Sequence, residues 1–373
     1  MRSKGLFALV AAGALISATT HAAYVVTSVT ATDIGTLGGS TSEAYDINNL
    51  GNIVGASDNA FGVRRGFLYK AGAFNDVTAT MGPGESLAQG INNRDVVVGY
   101  WTNSTGMHAY RWDGGVITPL VEAPPVWAEV ESHAVAISDN GRIVGQMTYP
   151  DVELIGFSVA TMWPDPTTYF SLEPMWEIRY ASTIATDVDI TGRATGWDTW
   201  FHDSWLWKPY APPNRLMPPP PPIAGYDTEA SDALGVHYKS GVVGATVFML
   251  MPSGSFIHRA VYWNGSSSAS VNLGVLPGGR KSEADDINAL TFIAGWSQQA
   301  VLLPAGGVAL WDTAFLFHKD IGMYALPRER TSHCRARALN DRKASGLIQV
   351  VGWCDKGGGR RAVRWDVTVA SVP

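Results

Sequence analysis

The stretch DIGTLGGSTSEAYDIN, Asp33 to Asn48, returns about 240 residues later as NLGVLPGGRKSEADDIN, Asn272 to Asn288, with a single proline inserted. Looser copies of one pattern fill the chain between and beyond them. Each has Ser-x-Ala or a relic of it, an apolar residue, a turn residue, and a short β-branched run that ends in glycine. The copies close at Gly55, Gly99, Gly145, Gly196, Gly244, Gly295 and Gly352, which stand 44, 46, 51, 48, 51 and 57 residues apart. Asn, Asp and Gly sit where the chain must reverse, and β-branched residues follow where it must run extended, so each copy reads as a β-hairpin. A third run follows with an aromatic near its end, at Tyr69, Trp112, Trp163, Trp207, Trp263, Phe317 and Trp365. Most copies add a fourth, such as Gly115 to Leu120.

Units of roughly 40 to 50 residues with four strands have the size of propeller blades. The sequence therefore predicts an all-β fold, a β-propeller of seven four-stranded blades, with six or eight blades or an open array of β-repeats as the alternatives. Apolar residues on both faces of the strands favour units covered on both sides. The seventh unit has no LGxLGG-like strand after it, whereas TDIGTLGG near the start, Thr32 to Gly39, has no unit before it. The N-terminal strand is expected to complete the last blade and close the ring, which removes the free edges of an open array.

The unit resembles the HAF family of extracellular repeats, whose consensus runs Asp-Leu-Gly-Thr-Leu-Gly-Gly, Ser-x-Ala, Ile-Asn, Val-Val-Gly and His-Ala-Phe. The match is close in DIGTLGGSTSEAYDINNLGNIVG, Asp33 to Gly55, and in INNRDVVVGYWTNSTGMHAYRW, Ile91 to Trp112. His108, Ala109 and Tyr110 stand at the family's name-giving position. Elsewhere the fidelity declines. The resemblance implies export and a β-repeat fold, and it supplies no catalytic residues.

Residues 1–22 read as a secretory signal peptide: Arg2 and Lys4 precede an apolar run from Leu6 to Ala18, and small residues suit cleavage near Ala22 or Ala23. The run is shorter than a membrane span requires. Residues 23–373 are then the propeller, exported to the periplasm or the cell exterior. Without the first 22 residues the formal net charge moves from −6 to −8, a balance that discounts nucleic acid and anionic membrane surfaces as partners. No later segment has the length and hydropathy of a spanning helix.

Cys334 and Cys354 are the only cysteines. Counted from the closing glycine, Cys334 takes the place of Ser42 and Ser282, and Cys354 the place of Ser57 and Ser297. The paired change predicts a cross-strand disulfide formed after export; free thiols or a metal site are the alternatives, and only His333 stands nearby as a further ligand.

In a repeat protein, a site should be sought in what one unit has and the others lack. The third-strand tryptophans, with Trp197, Trp296 and Trp353 after the closing glycines, read as core. Trp127, Trp176, Trp200 and Trp311 fall in or near loops. The richest cluster is GWDTWFHDSWLWKPY, Gly196 to Tyr210, where Trp200, Phe201, His202 and Asp203 lie in one short loop. Aromatic faces flanked by polar groups hold sugar rings in many proteins, so Trp200, Phe201, His202, Asp203, Trp176 and Trp127 are the candidate ligand-binding residues; the plainer reading is a cap on the seam between two blades. Asp198 with Asp203, or Glu129 with Glu131, would be the carboxylate pairs of a polysaccharide-cleaving enzyme. Asp46, Asp189 and Asp286 recur at one register before the turn and read as strand-end or channel-lining residues. No nucleophile elbow, zinc, phosphate or calcium motif occurs, and no cofactor is expected. Pro218 to Pro222 read as a stiff surface connector or a docking ligand. The function these features favour is an exported non-catalytic binding scaffold for a glycan or an extracellular protein. A hydrolase or lyase acting on polysaccharide and a structural surface component are the alternatives.

Overall fold

The computed structural model describes residues 23–124, 130–149, 157–172, 182–199, 202–208, 214–215, 226–250, 255–264, 270–303, 306–328 and 332–372. The signal-peptide segment, Trp127, Glu129, Trp176, Trp200, Phe201 and the proline run lie outside the described residues.

The first unit forms a sheet of four consecutive antiparallel strands, β2 (Gly38–Ile47), β3 (Ile53–Asn59), β4 (Arg64–Lys70) and β5 (Ala73–Asp76). Six further sheets of four follow, one for each remaining unit. The first strand of each sheet touches the first strand of the next, and that of the seventh (Cys334–Leu339) touches β2. Seven blades therefore form a closed ring, a seven-bladed β-propeller, with these inner strands around the axis. The seventh sheet takes its outer strand from the start of the chain. There β1 (Ala23–Gly35) pairs antiparallel with Gly359–Val372, from Ala23 opposite Val372 to Gly35 opposite Ala362.

The closing glycine of each unit has a physical cause. In every blade the inner strand carries a β-bulge one residue after the alanine of Ser-x-Ala, and that alanine faces the closing glycine: Ala44 faces Gly55, Ala88 Gly99, and Ala284 Gly295. The same pairing holds for Ala134 with Gly145, Ala185 with Gly196, Ala233 with Gly244, and Ala336 with Gly352. A Cβ on any of these glycines would lie 1.9 to 2.1 Å from a carbonyl oxygen of the inner strand. No side chain fits, whatever the backbone angles.

Among the described residues no single core lies at the centre. Seven apolar clusters each join neighbouring blades; one, for example, packs Val54 and Leu68 of blade 1 against Ala88, Ile91 and Val97 of blade 2. The third-strand aromatic of every blade enters the seam toward the preceding blade, from Tyr69 and Trp112 through Trp163, Trp207, Trp263 and Phe317 to Trp365. Trp296 and Trp353 are buried as expected, whereas Trp112 and Trp197 are only half-buried. The serine of Ser-x-Ala bolts the seams. Its hydroxyl accepts the amide of the preceding blade's third strand, from Ala362 to Ser42, Gly66 to Ser86, Ala109 to Ser132 and Ala260 to Ser282. Thr183 does the same for Ala160.

Cys334 stands directly opposite Cys354 and the two form a disulfide, with Cα atoms 4.1 Å apart. The seam between blades 6 and 7 therefore has no serine bolt at this place. Instead Arg335 reaches back to Asp312, its Nη2 2.6 Å and its Nε 2.9 Å from the same carboxylate oxygen.

Two outcomes are expected from denaturant titration. Replacing both cysteines by alanine should cost about 3 kcal/mol, the usual effect of opening a loop of this size. C334S/C354S should recover about 1 kcal/mol of that, because serine can accept the Ala314 amide as its counterparts do in other seams.

Candidate functional site: the bulge-lined channel

The bulge turns two consecutive residues of each inner strand toward the ring axis, and these line a channel with three zones. At the end where the hairpin turns lie, Asn49, Asn93, Asp139 and Asp341 join neighbouring blades in a polar collar. The Asn49 amide nitrogen donates to Asn93 Oδ1 at 2.7 Å, that of Asn93 to Asp139 Oδ1 at 2.8 Å, and that of Asp341 to Asn49 Oδ1 at 2.8 Å. This mouth encloses about 300 Å³.

At the waist stand Asp46, Gly90, Ala136, Asp187, Gly235, Asp286 and Ala338, the second residue of each bulge. Each aspartate reaches into the next blade: Asp46 Oδ2 accepts the Ile91 amide at 2.8 Å, Asp187 Oδ2 that of Val236 at 2.7 Å, and Asp286 Oδ2 that of Leu339 at 2.9 Å. Their neighbours in the ring must be small. A Cβ on Gly235 would come within 2.7 Å of the Asp285 carbonyl oxygen, and one on Gly90 within 2.9 Å of Val135's. The sequence reading placed Asp189 in this register, and the structure corrects it to Asp187. Asp189 occupies the place of Asn48 and folds the turn, accepting the amides of Thr191 and Arg193 and pairing with the Arg193 guanidinium at 2.7 Å. Two acids spaced two apart in DVD made the strand and turn positions look alike.

Burial raises the waist carboxyls, to about 6 at Asp46 and about 7 at Asp187, and well above the ordinary aspartate range at Asp286; hydrogen bonds from the amides oppose the shift only in part. Among the described residues no cluster of three or more His, Cys, Asp or Glu is arranged to hold a metal ion.

Beyond the waist the channel opens into a vestibule of about 360 Å³ on the opposite face. Its wall is made by the first residue of each bulge: Tyr45, Gln89, Val135, Thr186, Leu234, Asp285 and Arg337. All seven are half-buried. Val135, Thr186 and Leu234, from blades 3 to 5, form a largely apolar side. Asp285, Arg337 and Tyr45, from blades 6, 7 and 1, form a charged one. Arg337 Nη1 lies 2.9 Å from Asp285 Oδ1, yet burial still raises the Asp285 carboxyl to about 7. Asp285 Oδ2 and Arg337 Nε are buried with no hydrogen-bond partner among the described residues. Above this ring Arg64 donates to the Tyr45 hydroxyl at 3.1 Å and to Glu43 at 3.0 Å. Gln89 is held by His133, whose burial lowers its pKa to about 4.

Of the sequence-derived cluster, His202 and Asp203 are described, and they lie in the blade 4 hairpin on this vestibule face. His202, at φ 52°, stacks on Trp197 with ring centroids 5.0 Å apart, and its Nδ1 stands 3.1 Å from Asp232 Oδ1. Asp203 is tied into the hairpin turn, its amide donating to Asp198 Oδ2 at 3.2 Å. Asp198 is buried and also accepts the Trp205 indole N–H, so it serves the hairpin. Glu131 begins the inner strand of blade 3, apart from that pair. Sequence reasoning missed the seven vestibule residues. Their signal was present as the one position inside Ser-x-Ala-x-x-Ile that never repeats.

No family model matches the chain, and no curated protein matches its sequence. Among solved structures it is similar to a gluconolactonase from Xanthomonas campestris, at 12% identity over 78% of this chain and 92% of that one, with a TM-score of 0.37. It is also similar to YCF48 from Cyanidioschyzon merolae, at 11% identity over 93% and 99%, TM-score 0.47, and to the polysaccharide lyase Uly1, at 8% identity over 86% and 85%, TM-score 0.40. The class of the protein, a seven-bladed β-propeller closed by its N-terminal strand, rests on its own strand order.

The waist gives a pH dependence of definite sign. The unfolded chain releases its carboxyl protons near pH 4, whereas the folded one holds them to about 6 at Asp46 and about 7 at Asp187. These groups therefore make stability fall as pH rises from 4 to 7, by at most on the order of 4 kcal/mol for Asp187. His133, held neutral by burial, acts in the opposite sense below its ordinary value. The difference between the parent and Asp187→Asn, followed by urea titration across this range, isolates the carboxyl and should shrink toward acid pH.

Proposed function

We propose that the protein is an exported, non-catalytic binding module, and that its ligand is the end of a glycan held in the vestibule. One observation carries the reading. The ring keeps its framework positions nearly constant, as Ser, Ala and Gly, and carries a different residue in every blade at the position that the bulge presents to the vestibule, whereas the other variable position, after the serine, repeats as Glu43 and Glu283. A purely structural ring has no need of seven different residues there. One apolar side and one side rich in hydrogen-bonding groups suit a sugar ring, which has a face of C–H groups and an edge of hydroxyls. The buried and unpartnered Asp285 Oδ2 and Arg337 Nε are groups that ligand hydroxyls or water would satisfy. A cavity of about 360 Å³ is at the small end of ligand sites, suited to one terminal unit.

Export is supported by the N-terminal segment and by the disulfide, which persists in oxidising compartments. Among the described residues no helix is long and apolar enough to cross a membrane. The kinship we propose is with the HAF repeats, on the residues quoted above.

The test is binding of the chain from Ala23 onward to a panel of bacterial and plant polysaccharides and their oligosaccharides. Leu234→Trp, which fills the vestibule, should weaken a hit at least tenfold while the melting temperature stays within a few degrees. If Trp200→Ala removes binding and Leu234→Trp does not, the site is the blade 4 loop. Turnover of a bound glycan would move the protein to the enzyme reading, and no hit in the panel would move it to a protein ligand.

A further inference from the structure

The hairpins between second and third strands differ in reach. In blade 1 the pairing runs one step past Ser57, to Asp58 opposite Arg64. In blade 6 the strands Ile293–Leu302 and Val308–His318 continue from Ser297 to Leu302 opposite Val308, four pairs further. At roughly 3.3 Å per residue this ribbon projects about 13 Å farther than its blade 1 counterpart. Blade 5 has a similar extension, pairing as far as Leu250 opposite Ser255. Both ribbons rise on the vestibule face from adjacent blades. Residues 296–311 and 242–257, which span them, contain no charged side chain.

Their apolar groups face solvent. Leu302 is 73% exposed, Val308 63% and Leu310 39%, and the pairing puts all three on one face of the blade 6 ribbon. Phe256 of the blade 5 ribbon is 54% exposed. Cations stand at the foot. The loop joining the two blades packs on the blade 6 ribbon, the Ala300 amide donating to the Pro277 carbonyl at 3.0 Å. That loop leads into Arg280 and Lys281, and Arg259 of blade 5 donates to the Arg280 carbonyl.

We propose that these two hairpins dock the protein on a lipid bilayer bearing anionic headgroups, with Leu302, Val308 and Phe256 entering the acyl boundary and Arg259, Arg280 and Lys281 at the headgroup level. The depth fits: interfacial segments bury apolar side chains about 5 to 10 Å deep, less than the height of the ribbon above the cations. The net charge of the chain argued against such a surface, but the field that a bilayer meets is local, falling off within about 10 Å. Two acids stand beside this patch, and both are engaged elsewhere: Asp312, next to the blade 6 ribbon, pairs with Arg335 at 2.6 Å, and Glu283 lies on the inner strand, lining the vestibule. A second copy docking through the same face by two-fold symmetry would bring Arg280 and Lys281 against their own copies, which like charges oppose.

The experiment is cosedimentation of the chain from Ala23 onward, which contains the whole ring, with vesicles of phosphatidylcholine alone or mixed with phosphatidylglycerol. The mixed vesicles should bind the protein and release it as salt rises. Arg280→Gln and Lys281→Gln should each lower the affinity about fivefold. Leu302→Asp with Val308→Asp should abolish binding, with the melting temperature unchanged because both sites are exposed. Leu234→Trp should leave vesicle binding intact, which separates this proposal from the vestibule reading. Failure to sediment with either vesicle, binding indifferent to Leu302→Asp with Val308→Asp, or a dimer in light scattering that these two substitutions dissolve would overturn it.

Discussion

The ring depends on one close contact made seven times, the approach of an inner-strand carbonyl to the closing glycine. At about 2 Å from a hypothetical Cβ, that approach leaves room for hydrogen alone. It lets the inner strand bulge beside the alanine, and the bulge turns two successive residues toward the axis where a regular strand would send one each way. The waist and the vestibule are both products of that local geometry. The second bulge residue is confined by its neighbours to Gly, Ala or an Asp that reaches into the next blade. The first faces open space and is free to differ.

Between blades the stabilising contacts are neither central nor uniform. Seven seams each bury their own apolar cluster, and a serine or threonine hydroxyl accepts an amide across most of them. The seam between blades 6 and 7 uses a different set of contacts. There the disulfide takes the serine's place within the blade, Arg335 pairs with Asp312 across the seam, and its guanidinium lies 3.8 Å from the centre of the Trp296 ring. This is also the blade that β1 completes. Covalent and ionic ties thus reinforce the blade in which the chain's two ends meet and its seam with blade 6.

The repeat made the blades legible because each is written by local chemistry: turn residues, β-branched runs, and a glycine imposed by contact. Even blades 4 and 5, whose copies are faint, keep the Ala185–Gly196 and Ala233–Gly244 pairs. Closure by β1 could be read from a strand missing at one end and spare at the other, and the disulfide from two serines replaced together. The site was harder to read. A bulge shifts register by one residue, so alternation along the strand does not reveal that Tyr45 and Asp46 face the same channel. Asp187 hid behind Asp189 because the two acids of DVD look alike as strand-end and turn residues. The aromatic loop drew attention through composition; of its described members, His202 makes its contacts with Trp197 and Asp232 and stands beside the vestibule face. The basic foot of the blade 5 and 6 hairpins was concealed by a net charge summed over the whole surface.

Seven bulges present seven different side chains to one open vestibule. The most direct measurement is the reactivity of single cysteines placed in turn at Tyr45, Gln89, Val135, Thr186, Leu234, Asp285 and Arg337, toward a small charged thiol reagent and with the native disulfide intact. All seven should be modified in the folded protein at comparable rates, and prior modification at Leu234→Cys with a bulky reagent should block glycan binding. Protection of several positions until the protein unfolds would contradict the claim, because those residues would then pack inside blades and no common site would exist.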